Sequence, residues 1–133
     1  MLKLGQVVII DEPPTYGRDY FDPDELKRED RVYAIRIEGN EIVYQLSCQS
    51  EDCWWVYDSL TDTDECLLDS VPEFNIGDDV VTEQEPQTVK TVTTVSVCRN
   101  GFQYALNNEE HFVRESSLRL YRKKDEPSEY SLF

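Results

Sequence analysis

The sequence predicts an all-β protein built from two tandem, small, five-stranded barrels, one in each half of the chain. Three observations predict it. First, Ile35-Arg36-Ile37-Glu38-Gly39-Asn40-Glu41-Ile42-Val43-Tyr44-Gln45-Leu46 aligns without a gap on Val95-Ser96-Val97-Cys98-Arg99-Asn100-Gly101-Phe102-Gln103-Tyr104-Ala105-Leu106, at a constant offset of 60. Second, both stretches alternate along the chain and are rich in β-branched and aromatic residues, the pattern of a half-buried strand. Third, Gly39-Asn40 and Asn100-Gly101 each sit between two such runs, where a tight hairpin needs residues that accept positive φ. A repeat of this length is a whole structural unit, so it sets the architecture of both halves. A unit of roughly 60 residues buries only about 60% of its unfolded surface, so each copy is marginal alone and is expected to pack on the other or share a strand.

Each copy opens on a glycine turn into an apolar run, Gly5 before Val7-Val8-Ile9-Ile10 and Gly77 before Val80-Val81. Tyr33, Ile35 and Ile37 are expected on one face of the next strand, as are Val95 and Val97 in the second copy. Ile42, Tyr44 and Leu46 are mirrored by Phe102, Tyr104 and Leu106. A third run covers residues 54–57 and 111–114. Within it Trp55 aligns with Phe112 and is the core candidate. Neighbouring strand residues face opposite sides, so Trp54 is expected on the surface. Both runs lead into polar residues, Asp58-Ser59-Leu60 and Glu115-Ser116-Ser117-Leu118, read as a single 3₁₀ turn. A last strand at 118–121 closes the second copy, and its partner in the first is expected at 65–68.

The offset changes from 72 at the glycines to 60 in the hairpins, so the first copy carries 12 extra residues, placed at about 11–28. Pro13, Pro14 and Gly17 make the start of this insertion irregular. Asp22-Pro23-Asp24-Glu25 then reads as a helix start, with Asp22 as N-cap and Pro23 in the first helical position, followed by one or two turns. The resulting division is a first barrel at 1–70, a second at 71–122 and a polar tail at 123–133. That tail ends in the apolar residues Tyr130, Leu132 and Phe133.

Gly77-Asp78-Asp79-Val80 and Glu115-Ser116-Ser117-Leu118-Arg119-Leu120-Tyr121, on either side of the Asn-Gly hairpin, carry a pattern that resembles SH3-like barrels. Such units are common in small phage and mobile-element proteins, and Tudor-like modules share their plan. The resemblance implies a fold and not an activity. The first copy departs from it, with Gln6 in place of the first aspartate and no Leu-x-Leu-Tyr after Ser59.

Charge is the second strong signal. The chain holds 28 acidic and 13 basic residues, a net −15. Residues 1–70 hold 17 acids against 6 bases and residues 71–133 hold 11 against 7, so the excess sits in the first half. Between residues 37 and 89 there are 14 acids and no Lys, Arg or His. Such a block repels nucleic acid and anionic membranes and attracts basic partners. Residues 1–6 show no signal-peptide pattern and no apolar run approaches a membrane span, so a soluble cytoplasmic protein is expected.

Catalysis is not expected. The single histidine, His111, falls in a strand run beside Phe112, and no glycine-rich phosphate loop, nucleophile elbow or metalloprotease helix is present. No cofactor or metal site is expected either. Cys48 and Cys53 lack the two-residue spacing of zinc knuckles; reduced thiols are the first reading of Cys48, Cys53, Cys66 and Cys98, with a Cys48–Cys53 disulfide or a metal site as the alternative.

Two binding roles follow. In the first, the acids form a partner surface for a basic protein, in its sharpest form a phage-type inhibitor that mimics nucleic acid and blocks a nuclease. Strand residues two apart on one face lie roughly 6.6 Å apart, comparable with phosphate spacing. The candidates are Glu38, Glu41, Glu51, Asp52, Asp58, Asp62, Asp64, Glu65 and Asp69. In the second, Tyr44, Trp54, Trp55 and Tyr57 line an aromatic groove that reads a basic peptide through cation–π contact. An exposed Trp54 also leaves self-association as a homodimer open.

Overall fold

The fold comes from a computed structural model that describes residues 1–17, 21–47, 53–99 and 101–122. It is all-β, and the helical residues described are confined to three 3₁₀ turns. The chain divides into two compact units, Met1–Val71 and Pro72–Phe133.

Unit 1 contains β1 (Gln6–Ile10), β2 (Glu29–Glu38), β3 (Glu41–Leu46), β4 (Trp55–Val56) and β5 (Leu60–Cys66). Every pairing is antiparallel, in the order β5–β1–β2–β3–β4. Unit 2 repeats the plan with β6 (Asp79–Thr82), β7 (Lys90–Cys98), β8 (Gly101–Leu106), β9 (Val113–Arg114) and β10 (Leu118–Arg122), in the order β10–β6–β7–β8–β9. A 3₁₀ turn joins the last two strands of each unit, Tyr57–Ser59 and Glu115–Ser117. Among the described residues no ladder joins β4 to β5 or β9 to β10. Each sheet is therefore open at that seam and is not a closed barrel.

The repeat extends to individual hydrogen bonds. The buried Tyr44 hydroxyl accepts from the Leu2 amide at 3.1 Å, and Tyr104 accepts from the Phe74 amide at 3.3 Å. Gly5 N–H donates to the Val32 carbonyl as Gly77 N–H does to Val92. Asp11 N–H donates to Ser59 as Glu83 N–H does to Ser117. The cores match as well: Val8, Val32, Val43, Tyr44, Leu46 and Trp55 are fully buried in unit 1, and Val80, Val92, Tyr104 and Leu106 in unit 2.

The register shifts between Val32 and Ala34, and again between Val92 and Thr94. This irregularity overturns the expected face for Tyr33, Ile35 and Ile37. An extra residue in one strand reverses the alternation on either side of it, so Val32, Ala34 and Ile35 are buried while Tyr33 is 38% exposed. The final strand of unit 1 starts directly after the 3₁₀ turn, at Leu60, rather than at 65–68. In the insertion Asp22 caps as expected, accepting from the Asp24 amide at 2.9 Å with Pro23 next in line. The turn it starts is a single 3₁₀ turn, Pro23–Glu25. Asn100 lies outside the described residues, whereas Gly39 and Gly101 take φ of +62° and +133°.

Candidate functional site

Two regions concentrate chemistry that the core does not use. The first is the acidic edge of unit 1. Among the described residues β5 pairs with β1 alone, and Thr61, Asp62, Asp64, Glu65 and Cys66 are exposed along it. Its pairing is interrupted: Cys66 faces Gln6 and Asp62 faces Val8, so three residues of β5 bulge out against Val7 alone. Gln6 holds this bulge in shape. Its Nε2 donates to Asp62 Oδ1 at 2.7 Å and to the Glu65 carbonyl at 3.1 Å. Asp62 Oδ1 also accepts from the Asp64 amide at 2.8 Å, and Asp64 takes a φ of +66°. Bulges of this kind re-aim side chains and end pairing along an edge.

The predicted acids are therefore not equivalent. Asp62 is exposed, but its carboxylate is tied to Gln6 and to the Asp64 amide. Asp64, Glu65, Asp58 on the 3₁₀ turn and Asp69 beyond β5 are also exposed; their carboxylates make no ion pair or hydrogen bond among the described residues. Glu38 is paired with Arg36 at 2.9 Å, and Glu41 accepts from the Tyr16 hydroxyl at 2.7 Å. That bond raises the Tyr16 hydroxyl above the usual tyrosine range, because a phenolate would face the Glu41 carboxylate. Asp11 is held below the usual carboxylate range by hydrogen bonds from Lys27 and Thr61. Glu51, Asp52 and Cys48 lie outside the described residues. Cys53 is buried, and Cys66 and Cys98 are thiols.

The second region is the outer face of β2–β4 and the insertion over it. Here Trp54 departs from expectation: it is 6% exposed and belongs to a cluster with Ala34 and Val43. The insertion buries it. Tyr16 and Trp54 form an antiparallel bridge, with Trp54 N–H donating to the Tyr16 carbonyl at 2.9 Å and Tyr16 N–H donating back at 3.1 Å. The Tyr16 ring packs on the cluster together with Val56, and the Arg36 guanidinium lies 4.1 Å from the Trp54 ring centre. On the inner side Trp55 Nε1 donates to the Glu12 carbonyl at 3.0 Å, and Phe21 meets the Trp55 ring edge-on at 6.2 Å. With Tyr44, Trp54 and Trp55 all buried, the expected groove of Tyr44, Trp54, Trp55 and Tyr57 is not an open surface. Of the four only Tyr57, at 49%, is exposed.

The matching region of unit 2 looks different. Val43 pairs with Val56 and Tyr44 with Trp55; Gln103 pairs with Arg114 and Tyr104 with Val113. The structural counterpart of Trp55 is thus Val113, and that of Trp54 is Phe112, one residue away from the sequence alignment. His111 and Phe112 precede β9 rather than lying in it, and Phe112 is 45% exposed. A cavity of about 330 Å³ opens beside it, floored by Leu106 and Val113 and rimmed by Glu83, Glu85, Glu109 and Arg114. Lys90 pairs with Glu109 at 3.0 Å, which raises the lysine further above its usual range.

Among the described residues no three His, Cys, Asp or Glu side chains gather as a metal site, and no helix is long and apolar enough to cross a membrane. Comparisons with protein-family models, with curated proteins and with solved structures found no match to this chain.

Proposed function

We propose that this chain is an acidic protein-interaction module, built from two SH3-like units of Tudor-like plan, that occupies the basic surface of a nucleic-acid-binding partner. The observation that carries it is β5: a bulged edge strand exposed at Thr61, Asp62, Asp64, Glu65 and Cys66, displaying Asp62, Asp64 and Glu65, with Asp58 and Asp69 on either side. The tether from Gln6 to Asp62 favours pre-organisation, since a carboxylate held before contact loses less freedom on binding. The absence of any base between residues 37 and 89 supports long-range steering toward a cationic surface. In its sharpest form the partner is a nuclease and the carboxylates stand in for phosphates, as in a phage-type inhibitor. Glu38 and Glu41, engaged with Arg36 and Tyr16, contribute less to such a surface than the β5 acids.

The test uses basic nucleic-acid-binding proteins retained on heparin, each preloaded with labelled duplex DNA. The reading predicts that the wild-type chain displaces DNA from a member of this set at low salt and progressively less as salt rises. A chain carrying Asp58→Lys, Asp64→Lys, Glu65→Lys and Asp69→Lys should lose displacement while keeping its fold, because all four side chains are exposed. Equal displacement by both chains, or none by the wild type, would count against it.

A further inference from the structure

The two units offer an internal comparison between a filled cleft and an open one. In unit 1 the chain leaves β1 through the Asp11–Ser59 hydrogen bond and passes Trp55 and Trp54, with hydrogen bonds to both. It bridges the Trp54 backbone and seats the Tyr16 ring on the outer face. In unit 2 the chain leaves β6 through the equivalent Glu83–Ser117 bond, but it lacks the insertion and returns to Lys90 within a few residues. Phe112 makes no such bridge among the described residues. Its side chain is 45% exposed, and the space beside it is the cavity of about 330 Å³. Val113 in place of Trp55 deepens that space by removing an indole.

We propose that the unit 2 cleft binds, in trans, an extended partner segment bearing an aromatic residue, in the way that unit 1 binds its own insertion in cis. The segment lies antiparallel to Phe112 and exchanges backbone hydrogen bonds with it, as Tyr16 does with Trp54. Its aromatic ring stacks on Phe112 next to the Arg114 guanidinium, taking the place that Tyr16 holds beside Val56, the counterpart of Arg114. A second apolar side chain enters the space over Val113, where Phe21 meets Trp55 in unit 1. A volume of this size is at the low end of ligand pockets and suits one or two side chains rather than a large cofactor. This site is separate from the acidic edge, so it stands or falls independently of the function proposed above.

The insertion itself supplies the probe. A capped, fluorescently labelled peptide of residues 14–21, Pro-Thr-Tyr-Gly-Arg-Asp-Tyr-Phe, is close to neutral and carries both Tyr16 and Phe21. Its anisotropy is titrated with the full-length chain. The proposal predicts saturable binding with a dissociation constant of about 0.1 mM, the scale expected of one aromatic anchor and a short strand pairing. Phe112→Ala should weaken it about tenfold or more. Because Phe112 is exposed, that variant keeps its fold. Absence of binding at millimolar peptide, or undiminished binding by Phe112→Ala, would overturn the proposal. So would concentration-dependent self-association that Phe112→Ala removes, which would assign the cleft to a second copy. Binding that appears only once residues 123–133 are deleted would overturn it in favour of the chain's own end.

Discussion

Units 1 and 2 share a backbone plan and have parted in their surfaces. The same tyrosine hydroxyl accepts from the same amide in each, the same glycine donates to the same valine, and the same strand shifts register at the same place. Around this common frame the edge strands have opposite character. β5 displays Asp62, Asp64 and Glu65, while β10 displays Arg119, Leu120, Tyr121 and Arg122. The outer faces differ as much. Unit 1 covers Trp54 with its own insertion, and unit 2 leaves Phe112 bare. A duplicated fold is thus kept by its hydrogen-bonded turns and central core, whereas edges and loops are free to specialise.

The two cores differ most in side-chain size at Trp55 and its counterpart Val113. Trp55→Ala should cost unit 1 roughly 3–5 kcal/mol, since it removes a fully buried indole and leaves a cavity. Val113→Ala at the matching place should cost unit 2 only about 1 kcal/mol, because that valine is half-buried beside an open cavity. Denaturant unfolding followed by circular dichroism measures both, and similar losses would mean that the two cores are less different than described.

Gly5→Ala is the next largest. Gly5 takes a φ of +82°, and an added Cβ would lie 2.6 Å from Leu68 Cγ and 3.0 Å from its backbone nitrogen. Positive φ and the clash together should cost roughly 2–3 kcal/mol. Both tryptophans lie in unit 1, so the loss should appear as an earlier unfolding transition in tryptophan fluorescence.

Smaller effects are expected at the shared tyrosines, Tyr44 and Tyr104. Tyr104→Phe removes the acceptor for the Phe74 amide and the donor to Glu115, and should cost about 1–3 kcal/mol. Tyr44→Phe removes only the acceptor for Leu2 and should cost less. Burial raises both hydroxyls, Tyr104 further because Glu115 adds to it. A raised folded pKa stabilises below the unfolded value near 10 and is lost as pH rises through the folded value. In a spectrophotometric alkaline titration Tyr104 should therefore ionise above the ordinary tyrosine range, together with unfolding of unit 2, and Tyr104→Phe should remove that step.

The smallest effect concerns the anchor of the insertion. Asp11 is depressed by Lys27 and Thr61, so its contribution is present above the unfolded value of 3.8 and is lost as pH falls through the folded one. Asp11→Asn should lower the melting temperature slightly at neutral pH and match the wild type in strong acid.

Much of this was legible in the sequence. The offset of 60 located both hairpins, because a tight turn flanked by alternating residues is a local signal. The 3₁₀ turns after β4 and β9 and the Asp22 cap were legible for the same reason, whereas the helix expected after Asp22 is a single 3₁₀ turn. The exposure of Tyr33 is hidden from the sequence because a bulge leaves no mark on a period-two pattern. Trp54 was misplaced for two reasons. The alignment ran one residue out at β9, and in a strand a one-residue slip exchanges faces. Alternation also assumes that one face meets water, whereas here a distant segment with Tyr16 covers it. Two adjacent tryptophans following an insertion that carries Tyr16 and Phe21 were the signal that both faces are covered. The acids were legible as a block, but their division into tethered and untethered groups depends on partners such as Gln6 and Arg36 that only the fold brings near.

The insertion of unit 1 is a built-in occupant of a cleft whose counterpart in unit 2 stands open. Tryptophan fluorescence tests it directly, since Trp54 and Trp55 are the only tryptophans. The wild-type chain should emit in the blue and resist iodide quenching. Replacing residues 11–28 with the short loop at 83–88 should shift the emission to the red and expose Trp54 to iodide, while the β-sheet circular dichroism of unit 2 is kept. Unchanged emission and quenching after the exchange, or full quenching of the wild type at the outset, would mean that the insertion does not cover Trp54.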